Sequence, residues 1–192
     1  TLCTAQNKMP ADVKANWVWW KLTNPVNRKT ELAKLIEEMP ADVKWHTQAE
    51  TKQLLGMMSE LNQQKVLDAK ASGLKMVGTI YKRTRRNEHG IKVQRAEVRF
   101  DGLAGCLRTP AGGSSRQLVL LVENKSVKSR LISARETARL MGLPDSYKIP
   151  QNYNEAYHLT GDGVVAPVVR FIAKHLLEPV LKDGVVITRA AA

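Results

Sequence analysis

Cysteine is scarce in this sequence, since only Cys3 and Cys106 occur among its 192 residues. They lie in unrelated contexts without the spacing of metal ligands, which argues against both a disulfide framework and a zinc site. Long hydrophobic runs are missing as well, because no stretch approaches the roughly 20 apolar residues that a membrane span requires. No signal-peptide pattern opens the chain. We therefore predict a cytoplasmic protein without a metal ion or a membrane segment.

Acidic residues are also few, 18 against 30 basic ones, which leaves a formal net charge of +12. More than half of this excess lies between residues 75 and 116. A cluster of this kind favours a polyanion, because basic side chains neutralise phosphates and release counterions. The sequence therefore predicts a nucleic-acid partner. The alternative is a solvated face that only keeps the protein soluble.

The length allows one ordinary domain with a buried core, or one small domain with an appendage of another. The chain begins at Thr1 and residues 1–16 show no clear periodicity, from which we expect a piece of something longer. The alternate positions of Trp17 and Trp19 predict a strand buried against a core. Stacking of these tryptophans on bases is the alternative.

Helical spacing of apolar residues predicts four helices. Capping boxes mark two of their starts, at Thr47 with Glu50 and at Ser133 with Glu136. The last helix is apolar around most of its circumference, so we expect it to be buried inside a larger core. The predicted helices cover residues 30–38, 47–73, 133–140 and 163–177, with Glu178-Pro179 ending the last.

Between these helices the pattern is typical of β-strands. Residues 76–81 lead into a charged run at 82–86, a turn follows at 87–90, and a second strand is predicted at 91–100. Apolar residues change parity along that second strand, which predicts a bulge near Arg95–Glu97. A third strand is predicted at 118–122 and a turn at 123–129.

Residues 106–116 form a glycine-rich segment, CLRTPAGGSSR. Adjacent glycines let a backbone approach a ligand, serine hydroxyls and free N–H groups hold phosphate oxygens, and arginines supply charge or bidentate guanine contacts. A hairpin loop without a ligand is the alternative. The predicted DNA-binding residues are Lys82, Arg83, Arg85, Arg86, Arg95, Arg99, Arg108, Thr109, Gly112, Gly113, Ser114, Ser115 and Arg116.

The segment Gly161–Ala166 matches the pattern of small residues that open a helix in dinucleotide-binding proteins. Too little chain follows to build a parallel sheet, which disfavours a self-contained dinucleotide-binding domain. A helix N-terminus that lines a small-molecule pocket fits better, because its N–H groups are free. The four histidines share no acid/base or metal-type spacing, so we predict no catalytic residue on this chain.

Residues 130–147, RLISARETARLMGLPDSY, resemble the pattern R-x-L-T-x-R-E-x-A-R-L-x-G-F/L-P-D-x-Y. This is motif IX of the DNA (cytosine-C5) methyltransferases. Downstream, residues 161–168 resemble motif X of the same family, G-N-x-V-x-x-P-V, in the expected order. Residues 103–116 resemble the end of the family's variable target-recognition region. The chain is therefore similar to the C-terminal half of these enzymes.

This resemblance implies base flipping, attack of a cysteine thiolate on C6 of cytosine, and methyl transfer to C5 from S-adenosylmethionine. The family's Pro-Cys motif does not occur here, so the resemblance implies an N-terminal half that carries the nucleophile and most of the cofactor site. The motif X positions near the methionine end of the cofactor are Asp162, Gly163 and Val164. The motif IX positions that organise the recognition domain are Arg135, Glu136 and Arg139.

The predicted fold class is α/β: a mixed α+β target-recognition domain plus C-terminal helices that belong to a Rossmann-like methyltransferase domain. We expect an irregular segment at 1–16, a DNA-binding domain at 17–129, a motif IX and X segment at 130–180 and a tail at 181–192. The expected partners are double-stranded DNA and an N-terminal catalytic half or partner subunit, at the nucleoid of a prokaryote or in a phage-infected cell. A free-standing DNA-binding specificity module without activity is the alternative. An RNA-binding protein is disfavoured by the few aromatics in the basic stretch.

Overall fold

A computed structural model describes residues 2–20, 22–27, 30–109 and 116–183. The described chain forms two compact units, one from parts of 1–26 and 169–192 and the other from 27–168. Helices and an antiparallel sheet occur together, which confirms the predicted mixed α/β class. Nowhere in these ranges is a helix both long and apolar enough to cross a bilayer. The predicted functional boundaries at 17, 130 and 181 stay a prediction.

The larger unit is built on a four-stranded antiparallel sheet with the order β2-β1-β3-β4. Its register is regular along the whole β1–β2 pair, so the predicted bulge near Arg95–Glu97 is wrong. The parity changes because Ala96 and Val98 face the core, whereas Ile91 lies beyond it and is exposed. The strands are β1 Met76–Arg86, β2 Lys92–Arg99, β3 Leu118–Glu123 and β4 Ser126–Leu131.

Helices α3 (Gln48–Gly56) and α4 (Glu60–Ala71) pack against one face of this sheet. Alternate strand residues point to this face, and burial of such apolar side chains is the main stabilising term of the unit. The residues of this core are Leu54, Met58, Val66, Ala69, Ile80, Ala96, Val98, Leu118, Leu120 and Val122.

The opposite face of the sheet holds a second core of Val119, Ile132 and Tyr157. It is covered by α5 (Ala134–Leu140) and α6 (Tyr153–Asp162). Burial raises the pKa of the Tyr157 phenol, which accepts a hydrogen bond from the backbone N–H of Gln117 at 3.1 Å. Tyr157 therefore ties α6 to the start of β3.

The predicted helix at 30–38 is wrong, since only a short 3-10 turn forms at Leu32–Lys34. Tertiary hydrogen bonds use the backbone groups that a helix would need. Arg139 donates to the Leu35 carbonyl at 3.1 Å and Arg130 donates to the Glu37 carbonyl at 2.7 Å. These hydrogen bonds satisfy the backbone carbonyls as well as a helix would. The local preference for a helix therefore does not decide the conformation of this segment.

The predicted helix at 47–73 is divided into α3 and α4. The break places Met58 in the core, and the Met57 carbonyl accepts a hydrogen bond from the Ala96 N–H at 3.0 Å. Both predicted ends are confirmed: the capping box of Thr47 and Glu50 is complete, and Gly73 has a φ of 66° just beyond α4.

Two elements of the larger unit were not predicted. Strand β4 occupies most of the predicted turn at 123–129, because only Asn124 and Lys125 turn the chain. Helix α6 begins at an Asn152 cap, whose side chain accepts hydrogen bonds from the N–H groups of Asn154 and Glu155. An Asn before an amphipathic segment was a usable signal for this helix.

The smaller unit contains α1 (Leu2–Asn7) and α2 (Ala11–Ala15), so the predicted irregular structure at 1–16 is wrong. The predicted buried strand at Trp17–Trp20 is wrong, because no strand forms and Trp17, Trp19 and Trp20 are 36 to 50% exposed. Trp17 and Trp19 instead pack edge to face, with ring centroids 5.5 Å apart.

The last helical segment comprises α7 (Ala166–Ile172), a π-helical turn (Ala173–Leu177) and α8 (Glu178–Asp183). It begins three residues later than predicted and continues past Pro179. The π-helical turn changes the hydrogen-bond pattern directly before the proline, where a regular α-helix would lose a bond. Its apolar side chains are mostly exposed within the described chain. The described residues therefore do not bury this segment as its composition predicts.

Candidate nucleic-acid interface

The predicted basic residues of the β1–β2 hairpin lie on both of its faces. Successive strand residues point to opposite sides, and register partners share a side. Arg83 therefore shares a face with its partner Arg95, and Arg86 shares the other face with its partner Lys92. Arg85 and Arg99 lie on the Arg83 face, and Lys82 lies on the Arg86 face. The basic residues of the hairpin, which follow one another closely in the sequence, thus lie in two rows, one on each face.

An open cleft of about 660 Å³ lies beside the Arg83 face. Three predicted residues, Arg83, Arg99 and Arg108, line it. Two of these cations are paired within the protein, because Arg83 contacts Glu97 at 2.9 Å and Arg99 contacts Asp101. The Arg99 guanidinium lowers the pKa of the Asp101 carboxyl through this hydrogen bond.

Tyr81 organises the arginines of the cleft. The guanidinium carbons of Arg83 and Arg108 lie 5.2 Å and 6.0 Å from the centre of its ring. Arg108 also donates to the Tyr81 hydroxyl at 3.5 Å. Stacking of this kind fixes a guanidinium plane while its N–H donors remain available. Tyr81 was not among the predicted DNA-binding residues, although its position two residues before Arg83 on the same strand, and so on the same face, was a usable signal.

The glycine-rich segment is described only at its ends, because Gly112, Gly113, Ser114 and Ser115 lie outside the described residues. At one end the Thr109 hydroxyl donates to the Asp162 carboxylate. At the other end Arg116 donates to Asn154 and its guanidinium lies 5.5 Å from the Tyr153 ring centre. One described end of the segment is therefore held at the C-terminal residue of α6, and the other end is held at the first turn of α6.

The segment Asp162–Val164 begins with the last residue of α6 and leads through a turn toward the next helix, so the prediction that a helix opens at Gly163 is wrong. Gly161 and Asp162 close α6, and the next helix opens at Ala166. A Cβ atom at Gly161 would lie 2.8 Å from the Arg108 carbonyl carbon, so the turn touches the start of the glycine-rich segment. Proximity of that segment, and not a free helix end, explains the small residue at position 161.

The same turn presents atoms to the outside. Gly163 and Val164 are exposed, Val164 to 71%. Neither the 660 Å³ cleft nor a second cleft of about 400 Å³ includes Asp162, Gly163 or Val164 in its lining. A small molecule at this turn would therefore lie outside both of these clefts.

The side chains of the segment that resembles motif IX form a buried network around α5. Glu136 and Arg130 are fully buried and paired at 2.6 Å. Glu136 also completes the predicted capping box with Ser133, which is confirmed, and accepts from the Glu37 N–H at 2.6 Å. Arg130, which was not among the predicted structural residues, further stacks at 4.8 Å over Trp45.

Arg139 and Arg135 brace the chain on either side of α5. Arg139 binds Asp145 at 2.7 Å and lowers the pKa of that carboxyl through the hydrogen bond. It also lies 3.7 Å from Glu37. Arg135 donates to the Tyr147 carbonyl at 3.0 Å. These contacts join α5 to the segment at 35–37 and to residues 145–147, which follow α5.

A sequence model of the C-5 cytosine-specific DNA methylases matches residues 5–178 of this chain. The chain belongs to this family. Curated relatives match over shorter segments. Type II methyltransferase M1.ScrFI of Lactococcus lactis subsp. cremoris is 38% identical over 64 residues, which cover 33% of this chain and 16% of the relative.

Two further Type II methyltransferases are similar to this C-5 cytosine methylase family member. M.HhaI of Haemophilus parahaemolyticus is 43% identical over 49 residues, 26% of this chain and 15% of the relative. M.HpaII of Haemophilus parainfluenzae is 32% identical over 91 residues, 41% of this chain and 25% of the relative. The matched segments thus span a quarter or less of these three relatives.

Proposed function

We propose that this chain is the C-terminal part of a DNA (cytosine-5-)-methyltransferase. In this proposal it binds duplex DNA sequence-specifically and completes a catalytic domain together with an N-terminal half, in the cytoplasm where DNA is accessible. The observation that carries the proposal is the family match over residues 5–178. The nucleophilic cysteine belongs to the N-terminal half, so the chain alone is inactive.

Uncovered apolar side chains support the need for a second body. In the larger unit Val164 and Val168 are 71% and 51% exposed, and in the smaller unit Leu177 and Leu181 are 53% and 84% exposed. Exposed apolar patches of soluble proteins commonly mark interaction sites. The occupant we assign is the N-terminal catalytic half of the same enzyme or a partner subunit.

S-adenosylmethionine is the proposed cofactor, and it supplies the methyl group when bound. The exposed turn of Asp162, Gly163 and Val164 would form one wall of its site. The Thr109 hydroxyl and the Gly161 contact hold this turn against the glycine-rich segment. The turn would in this way position the cofactor side of the site relative to the DNA side.

The proposed DNA contacts are the basic residues of the hairpin and of the glycine-rich segment. Arg83, Arg99 and Arg108 share one cleft, and Arg108 remains exposed above Tyr81. Glu136, Arg139 and Arg135 would act as positioning residues, because their contacts join motif IX to the segments around it.

Salt-dependent DNA binding tests the DNA-binding part of this proposal. We expect the purified chain to bind a fluorescent 20-base-pair duplex with an affinity that falls steeply between low and physiological salt, since several phosphates are neutralised. Fluorescence anisotropy over a salt series measures the slope. Equal binding at all salt concentrations, or none, would contradict the proposal.

A free-standing DNA-binding specificity module is the second candidate. It is favoured by one observation, namely that the unit of residues 27–168 carries the basic hairpin and two cores of its own. Sequencing the coding DNA upstream of Thr1 separates the two candidates. An in-frame Pro-Cys motif supports the enzyme, and a frame without one supports the module.

A further inference from the structure

The β1–β2 hairpin projects beyond the core of the larger unit. The buried residue of β2 that lies nearest the turn is Ala96, and residues 84–86 on β1 and 88–92 around the turn are exposed. Five register pairs, from Lys82↔Ala96 to Arg86↔Lys92, extend from that point. At about 3.4 Å a residue the free ribbon reaches roughly 14 Å, before the turn is added.

Cations occupy both faces of this ribbon. The first row consists of Arg83, Arg85 and Arg95, and the second row consists of Lys82, Arg86 and Lys92. Glu97 contacts one member of the first row, Arg83. Within the described ranges Arg85 and Arg95 have no ion pair, and neither do the three cations of the second row.

Each face also carries two like charges directly across the strands. Arg83 is the register partner of Arg95, and Arg86 is the register partner of Lys92. Like charges in this arrangement destabilise a sheet by roughly 0.2–1 kcal/mol a pair. These like charges therefore lower the stability of the hairpin on both of its faces, and an anion bound on each face would relieve the repulsion.

The shape of the ribbon suits one site on a polyanion. The major groove of B-form DNA is about 12 Å wide and 8.5 Å deep, and it admits a two-stranded β-ribbon. Its two walls are the phosphates of opposite strands. A ribbon with a basic row on each face is complementary to both walls at once, whereas a ribbon with one basic face is complementary to a single strand.

We propose that the β1–β2 hairpin enters the major groove and contacts phosphates of both DNA strands, one strand on each face. This inference rests on the DNA-binding part of the proposed function and adds the geometry of the contact. The first row neutralises one strand and the second row neutralises the other. Affinity for duplex DNA then depends on the charge of both strands.

The test compares an intact duplex with a duplex of equal sequence in which one strand is an uncharged methylphosphonate strand. The full 192-residue chain is titrated with each duplex over a salt series. Each phosphate contact contributes about 0.9 to the slope of log affinity against log salt on B-form DNA. We expect a clearly smaller slope on the half-neutral duplex, because one row loses its strand.

Two double variants identify the rows. R85Q/R95Q weakens the first row and R86Q/K92Q weakens the second, and each is expected to lower the slope on the intact duplex by about 1.8. On the half-neutral duplex each should match the wild type, because its unchanged row takes the charged strand. K125Q/K128Q, at the β3–β4 turn and on β4, removes the same charge and should change neither slope.

The outcomes separate the two claims. Equal wild-type slopes on the intact and half-neutral duplexes would overturn the two-strand contact and leave DNA binding intact. So would row variants that lose slope equally on both duplexes, since all cations would then share one strand. Failure of the wild type to bind either duplex would overturn the DNA-binding proposal itself. The wild-type comparison decides the matter even where a variant fails to fold.

Discussion

At the scale of single residues, the ion pair of Arg130 and Glu136 is the most demanding interaction of the molecule. Both side chains are fully buried. Glu136 accepts from Arg130, Ser133 and Glu37, so its negative charge is matched by several donors. Removal of one member of such a pair leaves the other charge buried without compensation.

We expect Glu136→Gln to lower the free energy of unfolding by roughly 3–5 kcal/mol, because the Arg130 charge stays buried. Urea denaturation followed by circular dichroism measures this. Glu88→Gln, at the exposed hairpin turn, removes the same charge and should cost less than about 0.5 kcal/mol. Similar losses in the two variants would contradict a structural role for the buried pair.

Gly161 gives a second prediction. A Cβ at this position would lie 2.8 Å from backbone atoms of Arg108 and Thr109, so Gly161→Ala should cost about 1–3 kcal/mol through overpacking. Gly56→Ala is the matched control, because nothing lies within 4 Å of its Cβ position in α3, and it should be neutral or stabilising. Thermal melts of both variants distinguish the two; a stabilising Gly161→Ala would refute the close contact.

What the sequence revealed about these residues depended on motifs. Resemblance to motif IX selected Glu136 and Arg139, but nothing in the sequence placed Trp45 over Arg130 or Tyr81 under Arg108. Those contacts join residues far apart along the chain, and their formation depends on strand register and on the path of the segment at 35–45. Local patterns carry no information about either.

At the scale of elements, the two capping boxes have different surroundings. Thr47 is exposed, whereas Ser133 is fully buried and donates to the Glu37 carboxylate at 2.7 Å. Both caps were evident from the sequence because a cap is a local interaction between residues three positions apart. Their unequal burial was not evident from the sequence.

We expect Ser133→Ala to cost about 2 kcal/mol and Thr47→Ala about 1 kcal/mol, since only the first leaves a buried N–H and a carboxylate without their partner. Chemical denaturation of both variants measures the difference. A larger loss for Thr47→Ala would show that burial does not set the strength of these caps.

The predicted element boundaries are wrong where tertiary contacts compete with the local preference for a helix. Residues 30–38 have a helical pattern, yet their backbone groups bond to Arg130, Glu136 and Arg139. The predicted helix at 47–73 breaks because Met57 and Met58 meet strand β2. The strand predicted at 118–122 agrees with β3, because a short apolar run is a local signal for a buried strand. The strand predicted at 76–81 is the first part of β1, which continues through the charged run to Arg86.

At the scale of the whole molecule, the proposed assembly with an N-terminal half depends on apolar surface that the described chain does not cover. Leu177 in the last helical segment and Leu67 in α4 are 53% and 54% exposed. Only Leu177 belongs to the segment that we assign to the interface with an N-terminal half. The two positions therefore form a matched pair.

We expect Leu177→Asp and Leu67→Asp to change the stability of the chain by similar, small amounts. Leu177→Asp should also weaken assembly with the N-terminal half at least about tenfold, because burial of a leucine contributes roughly 1.5–3 kcal/mol. Analytical ultracentrifugation of the mixed halves measures the effect. Equal assembly by both variants would place the interface elsewhere.

The most direct test of the central claim is transfer of a tritiated methyl group from S-adenosylmethionine to cytosine in duplex DNA. The assay uses this chain alone, the proposed N-terminal half alone, and the two together. We expect methylation to require both. Methylation by this chain alone, or none by a mixture of two folded halves, would contradict it.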